Sequence, residues 1–257
     1  MFESILLGIL QGLTEFLPVS SSGHLVLAQE LLSGFDGPPA AFDVLLHGGT
    51  LAAVLVYFRG DLVQMAHDMA RPSEGGWSLP ALLVIGSIPA GVVGVFLSEM
   101  IEPLFSAPRV ASGGLLVTGC ILAAAWRIRG RGHRTLADIT VSGAILIGLA
   151  QALAIVPGIS RSGSTIAMGM LIGYSGKEAA RFSFLLSIPA IGGALLFQSG
   201  VLAEGGLPLS FLAGAVSAAL VGWASVAFLM KLLDRENLLP FAVYCLALGS
   251  LSLVFLV

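Results

Sequence analysis

Gln11 and Glu15 stand four residues apart, just before the run Phe16-Leu17-Pro18-Val19-Ser20-Ser21-Ser22-Gly23-His24. Far along the chain a second run has the same texture: Pro157-Gly158-Ile159-Ser160-Arg161-Ser162-Gly163-Ser164-Thr165. Positions four apart share one face of a helix, so Gln11 and Glu15 can together hold a ligand or a metal ion. Each Pro/Ser/Gly stretch opens a short apolar segment. Serine at such a start caps the helix, and the unpaired N–H groups with the helix dipole attract anions. Two such helix ends and the guanidinium of Arg161, brought together, suit a diphosphate better than any cation. Asp43 and His47 form another pair at a spacing of four, fit to bind a metal, to stand behind His24, or only to line an entrance.

The elements that must position these groups lie in lipid. Of the 257 residues, 56% are hydrophobic and 11% charged, against roughly 25% charged in soluble domains. The mean hydropathy is +0.97. An ionisable side chain at membrane depth is costly and is a functional candidate by default. The formal charge of -3 argues against a nucleic-acid partner. Cys120 and Cys245 each sit inside an apolar run and read as buried packing residues. The opening segment lacks a basic start and contains Glu3, Gln11 and Glu15, so it reads as mature protein rather than a signal peptide.

Spans need about 20 apolar residues. Six segments qualify, at 40 to 58, 79 to 98, 109 to 127, 178 to 198, 208 to 230 and 238 to 257. Four shorter ones come in broken pairs, 2 to 17 with 24 to 32 and 139 to 156 with 164 to 172, which read as re-entrant helical hairpins. A shift of 140 residues lays Gly8, Gln11, Leu13, Ser20, Ser22, Gly23 and Leu31 on Gly148, Gln151, Leu153, Ser160, Ser162, Gly163 and Leu171. The expected fold is therefore an all-α polytopic membrane protein with an inverted-topology repeat: residues 1–128 and 129–257, each with one hairpin (2–32 and 139–172) and three spans. This arrangement puts Arg59, Arg71, Arg127, Arg129, Arg131, Arg134, Lys177, Arg181, Lys231 and Arg235 on one face and only Arg109 on the other. The positive-inside rule makes the first face cytoplasmic, so both termini and the mouth of the first hairpin face outward.

Plainer readings stand beside these. Glu15 and Arg161 would serve equally as an ion pair that only joins the hairpins. His24 would serve as a satisfied polar group, and Ser20, Ser22 and Ser162 as helix caps. Glu99 and Glu102 read as interfacial charges, His67 and His133 as loop residues without a role, and the Ser-Ile-Pro-Ala runs at Ser87 and Ser187 as helix kinks.

The sequence resembles the undecaprenyl-diphosphate phosphatase family, also called the bacitracin-resistance protein family. Gln11 to Glu15 fits its (Glu/Gln)-x-x-x-Glu motif, Phe16 to His24 its Phe-Leu-Pro-Val-Ser-Ser-x-Gly-His stretch, and Pro157 to Thr165 its Pro-Gly-x-Ser-Arg-Ser-x-x-Thr motif. The resemblance implies a multi-pass bacterial plasma-membrane enzyme that converts undecaprenyl diphosphate to undecaprenyl phosphate for cell-wall synthesis, and bacitracin resistance when abundant. It implies a polyprenyl diphosphate lipid as partner and a divalent cation, Mg or Ca, as cofactor. Glu15 would bind metal and diphosphate, Arg161 phosphate, and Ser21 and His24 would take part in cleavage, either as nucleophile or by activating water. Ser20, Ser22, Gly23, Ser160, Ser162, Gly163 and Thr165 would line the diphosphate. Gln11 is neutral where some members carry Glu, so the metal would have one carboxylate and an amide oxygen. The rival expectation is a secondary transporter or lipid flippase for a phosphorylated substrate, and a weaker one is a structural membrane subunit. The oligomeric state has no signature in the sequence.

Overall fold

A computed structural model of the chain describes residues 1–31, 39–70, 77–198, 200 and 208–255. Helices dominate, and the only β-type pairing among the described residues is a single bridge between Arg134 and Tyr174. The helices are α1 (Phe2–Phe16), α2 (Ser21–Leu31), α3 (Pro39–Tyr57), α4 (Arg59–Ala70), α5 (Leu79–Phe96), the one-turn α6 (Ser98–Ile101), α7 (Pro108–Arg127), α8 (Val141–Leu153), α9 (Arg161–Leu171), α10 (Gly176–Phe197), α11 (Leu209–Leu232) and α12 (Leu239–Phe255).

Four stretches are long and apolar enough to cross a bilayer: Leu79–Phe96, Pro108–Arg127, Gly176–Phe197 and Leu209–Arg235. Their outer faces carry Val84, Ile88, Val92, Val216, Leu220 and Phe228, all exposed. Open apolar faces on helices of this length are what lipid covers, and the protein is a multi-pass membrane protein.

The segment expected at 40 to 58 is α3, and at its end the chain bends by 72° into α4. Arg59, Asp61, Gln64, His67 and Asp68 make α4 polar, so it turns aside, and Arg181 of α10 pairs with Asp61. One expectation changes: Cys120 is exposed, whereas Cys245 is buried as expected. Helix α7 buries Ser112, Leu115, Thr118, Gly119 and Leu122 against its neighbours. Cys120 falls on the opposite face, where lipid tolerates a thiol as it would an apolar group. Arg71 and the ends of the segments at 24 to 32 and 238 to 257 lie outside the described residues.

The broken pairs form two helix–turn–helix units, α1/α2 and α8/α9. Their packing mirrors the sequence repeat. Gly8 of α1 meets the backbone of Gly214 in α11, and Gly148 of α8 meets the backbone of Gly86 in α5 in the same way. A side chain at either glycine would collide with a carbonyl, so these contacts let helix backbones approach as they do in small-residue membrane interfaces. Between them, α7 packs on α12, with Ser252 Oγ donating to Ser112 Oγ at 2.8 Å. Pro89 lies inside the continuous α5 and Pro189 inside the continuous α10, at the two Ser-Ile-Pro-Ala runs.

At one end of the bundle, Glu236 accepts from the N–H groups of Gly130 (2.5 Å) and Gly176 (2.6 Å), and Lys177 pairs with Asp234 at 3.0 Å. Arg127, Arg129, Arg131 and Arg235 line a cleft there. Five of the ten basic residues expected on a common face thus gather at one end of the described structure. His67 and His133 are exposed, as are Glu99 and Glu102.

Candidate active site

The turn of the first hairpin is set by Ser20, whose φ of 69° is left-handed. That conformation costs a residue with a Cβ roughly 1–2 kcal/mol. In return the Ser20 carbonyl accepts both the backbone N–H of His24 (3.2 Å) and its ring Nδ1–H (2.7 Å), while Ser20 Oγ accepts from Gly23 N–H at 3.3 Å. The second turn uses glycine instead. Gly158 has φ 89°, and a Cβ there would strike the carbonyl of Ala111. Ser160 then caps α9, with its Oγ accepting from Gly163 N–H at 3.0 Å. In each turn the flanking serines touch, Ser20 with Ser22 at 3.3 Å and Ser160 with Ser162 at 3.2 Å.

The two tips meet. Ser162 Oγ donates to the Leu17 carbonyl at 3.2 Å, and Gly23 lies so close to Gly158 that a Cβ would come within 2.9 Å of its Cα. At this junction Arg161 Nη2 donates to Glu15 Oε1 at 2.7 Å. The other carboxylate oxygen, Oε2, accepts from Ser21 Oγ at 2.6 Å and from Gln11 Nε2 at 3.0 Å. His47 Nε2 stands 3.7 Å from the same oxygen. Its Nδ1–H donates to the Asp43 carbonyl at 2.7 Å, and Gln29 Nε2 donates to Asp43 Oδ1 at 3.0 Å. Arg161 also reaches the Ser183 carbonyl, at 3.4 Å.

Glu15 is 7% exposed, so its charge is held almost entirely by these neighbours. An unpaired carboxylate at that depth would be untenable. The hydroxyl, carboxylate and guanidinium thus form one continuous chain, Ser21–Glu15–Arg161, built from two hairpins 146 residues apart in sequence.

Gln11, Glu15, Ser21, Arg161 and His47 come together. Ser20, Ser160, Ser162, Gly163 and Thr165 are buried and make hydrogen bonds inside the protein, with Thr165 Oγ1 2.6 Å from Ser183 Oγ. Ser22 is half-buried and Gly23 buried. His24 does not touch Ser21 or Glu15 by any hydrogen bond described. Its Nε2 is 2.7 Å from Tyr244 Oη on α12, and the two rings stack at 5.6 Å with 5° between their planes. His47 therefore stands beside Glu15 rather than behind His24. Tyr244 went unnoticed in the sequence because its partner is 220 residues away. Only its place as the lone polar ring in an apolar segment singles it out.

Among the described residues no three of His, Cys, Asp and Glu gather as a ready-made metal site. Gln11 Oε1 is nonetheless buried without a hydrogen-bond partner, next to the Glu15 carboxylate and the Ser21 hydroxyl. That oxygen donor set fits a hard cation whose remaining ligands come from a bound phosphate and water.

A family description named "Bacitracin resistance protein BacA" matches residues 4–251. The chain belongs to this family. Among its relatives is an undecaprenyl-diphosphatase of Syntrophotalea carbinolica, 47% identical, with 97% of this chain aligned to 96% of that one. Another, from Desulforudis audaxviator, is 46% identical over 98% of this chain and 97% of its own. A third, from Geotalea daltonii, is 41% identical over 100% and 98%.

Proposed function

We propose that this chain hydrolyses undecaprenyl diphosphate to undecaprenyl phosphate and inorganic phosphate in the bacterial plasma membrane, returning the lipid carrier to cell-wall synthesis. The observation that carries the reading is the Ser21–Glu15–Arg161 chain where the hairpins meet, in a protein 47% identical to an undecaprenyl-diphosphatase. A transporter needs the cation and the helix ends but has no use for a hydroxyl already bonded to a buried carboxylate. The full-length relatives are named for hydrolysis, so the transporter reading is not favoured.

The apolar tail lies among the helices and the diphosphate enters between the N-termini of α2 and α9, whose free N–H groups and dipoles attract it. Arg161 turns from Glu15 to the phosphate oxygens, and preorganised charge of this kind is usually the largest catalytic contribution. Glu15 then loses its counter-ion and becomes a better proton acceptor. Ser21 Oγ attacks the terminal phosphorus while its proton passes along the 2.6 Å hydrogen bond to Glu15. The bond to the bridging oxygen breaks and undecaprenyl phosphate leaves with that oxygen. Water next attacks the phosphoserine, giving a proton to His24 Nε2, as Glu15 returns its own to the departing serine oxygen. A divalent cation, Mg or Ca, would be held by Glu15 and Gln11 and would neutralise charge on the diphosphate. Ser20, Ser22, Gly23, Ser160, Ser162, Gly163 and Thr165 shape the two turns that present the N–H groups.

The arrangement in the bilayer belongs to the same proposal. Six spans would be α3, α5, α7, α10, α11 and α12. The α1/α2 and α8/α9 hairpins would be re-entrant, and residues 1–128 and 129–257 would form inverted repeats. The paired Gly8–Gly214 and Gly148–Gly86 contacts and the meeting of the two tips support it. Both termini would then face outward. External labelling of a cysteine placed in the loop 128 to 137, in intact cells and with Cys120 removed, would invert this orientation; protection of that loop is expected.

Phosphate release from a soluble prenyl diphosphate by detergent-purified protein tests the reaction. Release is expected from wild type and expected to fall on chelation. It should be lost in Ser21→Ala and Arg161→Ala. A silent wild type, or variants as active as wild type, would end the hydrolase reading.

A further inference from the structure

We infer that Tyr244 is the positioning residue for His24, a role that rests on the hydrolytic reading above. His24 is 7% exposed and both its ring nitrogens are engaged. Nδ1 lies 2.7 Å from the Ser20 carbonyl, which can only accept, so Nδ1 carries the proton. The neutral ring then has its lone pair on Nε2, and the Tyr244 hydroxyl at 2.7 Å donates to it. One hydrogen bond thus fixes the tautomer and the other fixes the direction of the basic atom, while the stacked phenol ring holds the plane of the imidazole.

The placement of Tyr244 is itself secured. The next residue, Cys245, is buried, and its Sγ lies 3.8 Å from the Pro18 carbonyl in the turn of the first hairpin. Two consecutive residues of α12 therefore grip the hairpin that carries Ser21 and Glu15. Cys245 is inside, whereas Tyr244 remains 45% exposed. A side chain that is not locked in the interior can swing aside when water arrives, leaving Nε2 unprotonated and aimed for the hydrolytic step. Ser21, by contrast, needs nothing from His24 in the first step, because its hydroxyl already donates to Glu15.

Tyr244→Phe retains the ring and removes only the donor. The expected result in detergent is a fall in kcat of about 10–100-fold, typical for loss of a group that orients a ligand or base, with KM nearly unchanged. In the His24→Ala background the same substitution is expected to change kcat by less than about twofold, since residues acting as a unit are not additive. Equal losses in the two backgrounds, or a Tyr244→Phe enzyme as fast as wild type, would overturn the assignment. A readout independent of turnover is the nitrogen-15 resonance of His24 Nε2 in histidine-labelled protein, identified by its absence from His24→Ala. It should move in Tyr244→Phe while the Nδ1–H signal stays, and an unmoved Nε2 signal would also overturn the assignment. An inactive wild type would remove the hydrolytic reading and this role with it. A moved signal in an active protein with normal kcat would remove only the role of Tyr244.

Discussion

The first hairpin turns at Pro18 and Ser20, and the second at Gly158 and Ser160. Each turn is pinned by a helix from elsewhere in the bundle, but the pins differ in strength. Thr118 of α7 donates to the Gly158 carbonyl at 2.8 Å and accepts from the Ser160 N–H at 2.8 Å, so one buried hydroxyl satisfies two backbone groups. At the first turn the corresponding pin is Cys245 Sγ at 3.8 Å from the Pro18 carbonyl, a weak thiol donor. The second hairpin supplies one cation from a rigid turn. The first supplies the carboxylate, the hydroxyl and the imidazole from a turn that holds a serine in a left-handed conformation. The two turns share one backbone plan, but only the first brings a carboxylate, a hydroxyl bonded to it and an imidazole. In the proposed reaction the groups that exchange protons, Ser21, Glu15 and His24, all lie on the less tightly pinned side, and backbone strain such as that at Ser20 is commonly found at functional sites.

The largest expected effect tests whether the charged pair across the tips is chemical or only structural. Glu15→Gln and Arg161→Ala should each lower phosphate release by about 10²–10³-fold, the usual loss when one preorganised charge partner is removed. Each also leaves the other charge buried without its partner, costing about 3–5 kcal/mol of stability. The double variant Glu15→Gln/Arg161→Ala should recover much of the thermal stability in detergent and none of the activity. Recovery of both would mean that the pair only fastens the hairpins.

The difference between the pins is the next thing to measure. Thr118→Val leaves the Gly158 carbonyl and the Ser160 N–H unpaired in the interior, at about 1–3 kcal/mol for each orphan. Cys245→Ala should cost less than half as much, since a thiol bond at 3.8 Å is weak. Comparable shifts in melting temperature for the two variants would erase the contrast between the turns.

Smallest, and expected to be alike in both hairpins, are the helix contacts. Gly8→Ala and Gly148→Ala each force a methyl against a facing backbone carbonyl. Overpacking of this kind costs about 1–3 kcal/mol. Destabilisation of only one would show that the mirrored packing is not energetically equivalent.

The sequence alone determined the elements and much of the central contact. Broken apolar segments gave α1/α2 and α8/α9, because Pro, Ser and Gly mark turns by local backbone chemistry. The spacing of Gln11 and Glu15 placed both on one helix face, where they are hydrogen-bonded. Repetition of Ser-x-Ser-Gly pointed to two equivalent tips, and the cost of isolated charge in lipid made Glu15 and Arg161 each other's natural partner. Tertiary structure alone decided which neighbour each histidine took. His47 faces Glu15 and His24 faces Tyr244, since those contacts depend on how α3 and α12 pack against the first hairpin, and no local periodicity records a contact across 220 residues. The outward turn of Cys120 was hidden for the same reason. In a chain that is apolar almost throughout, hydropathy says that a residue is in the membrane but not whether it faces lipid or protein.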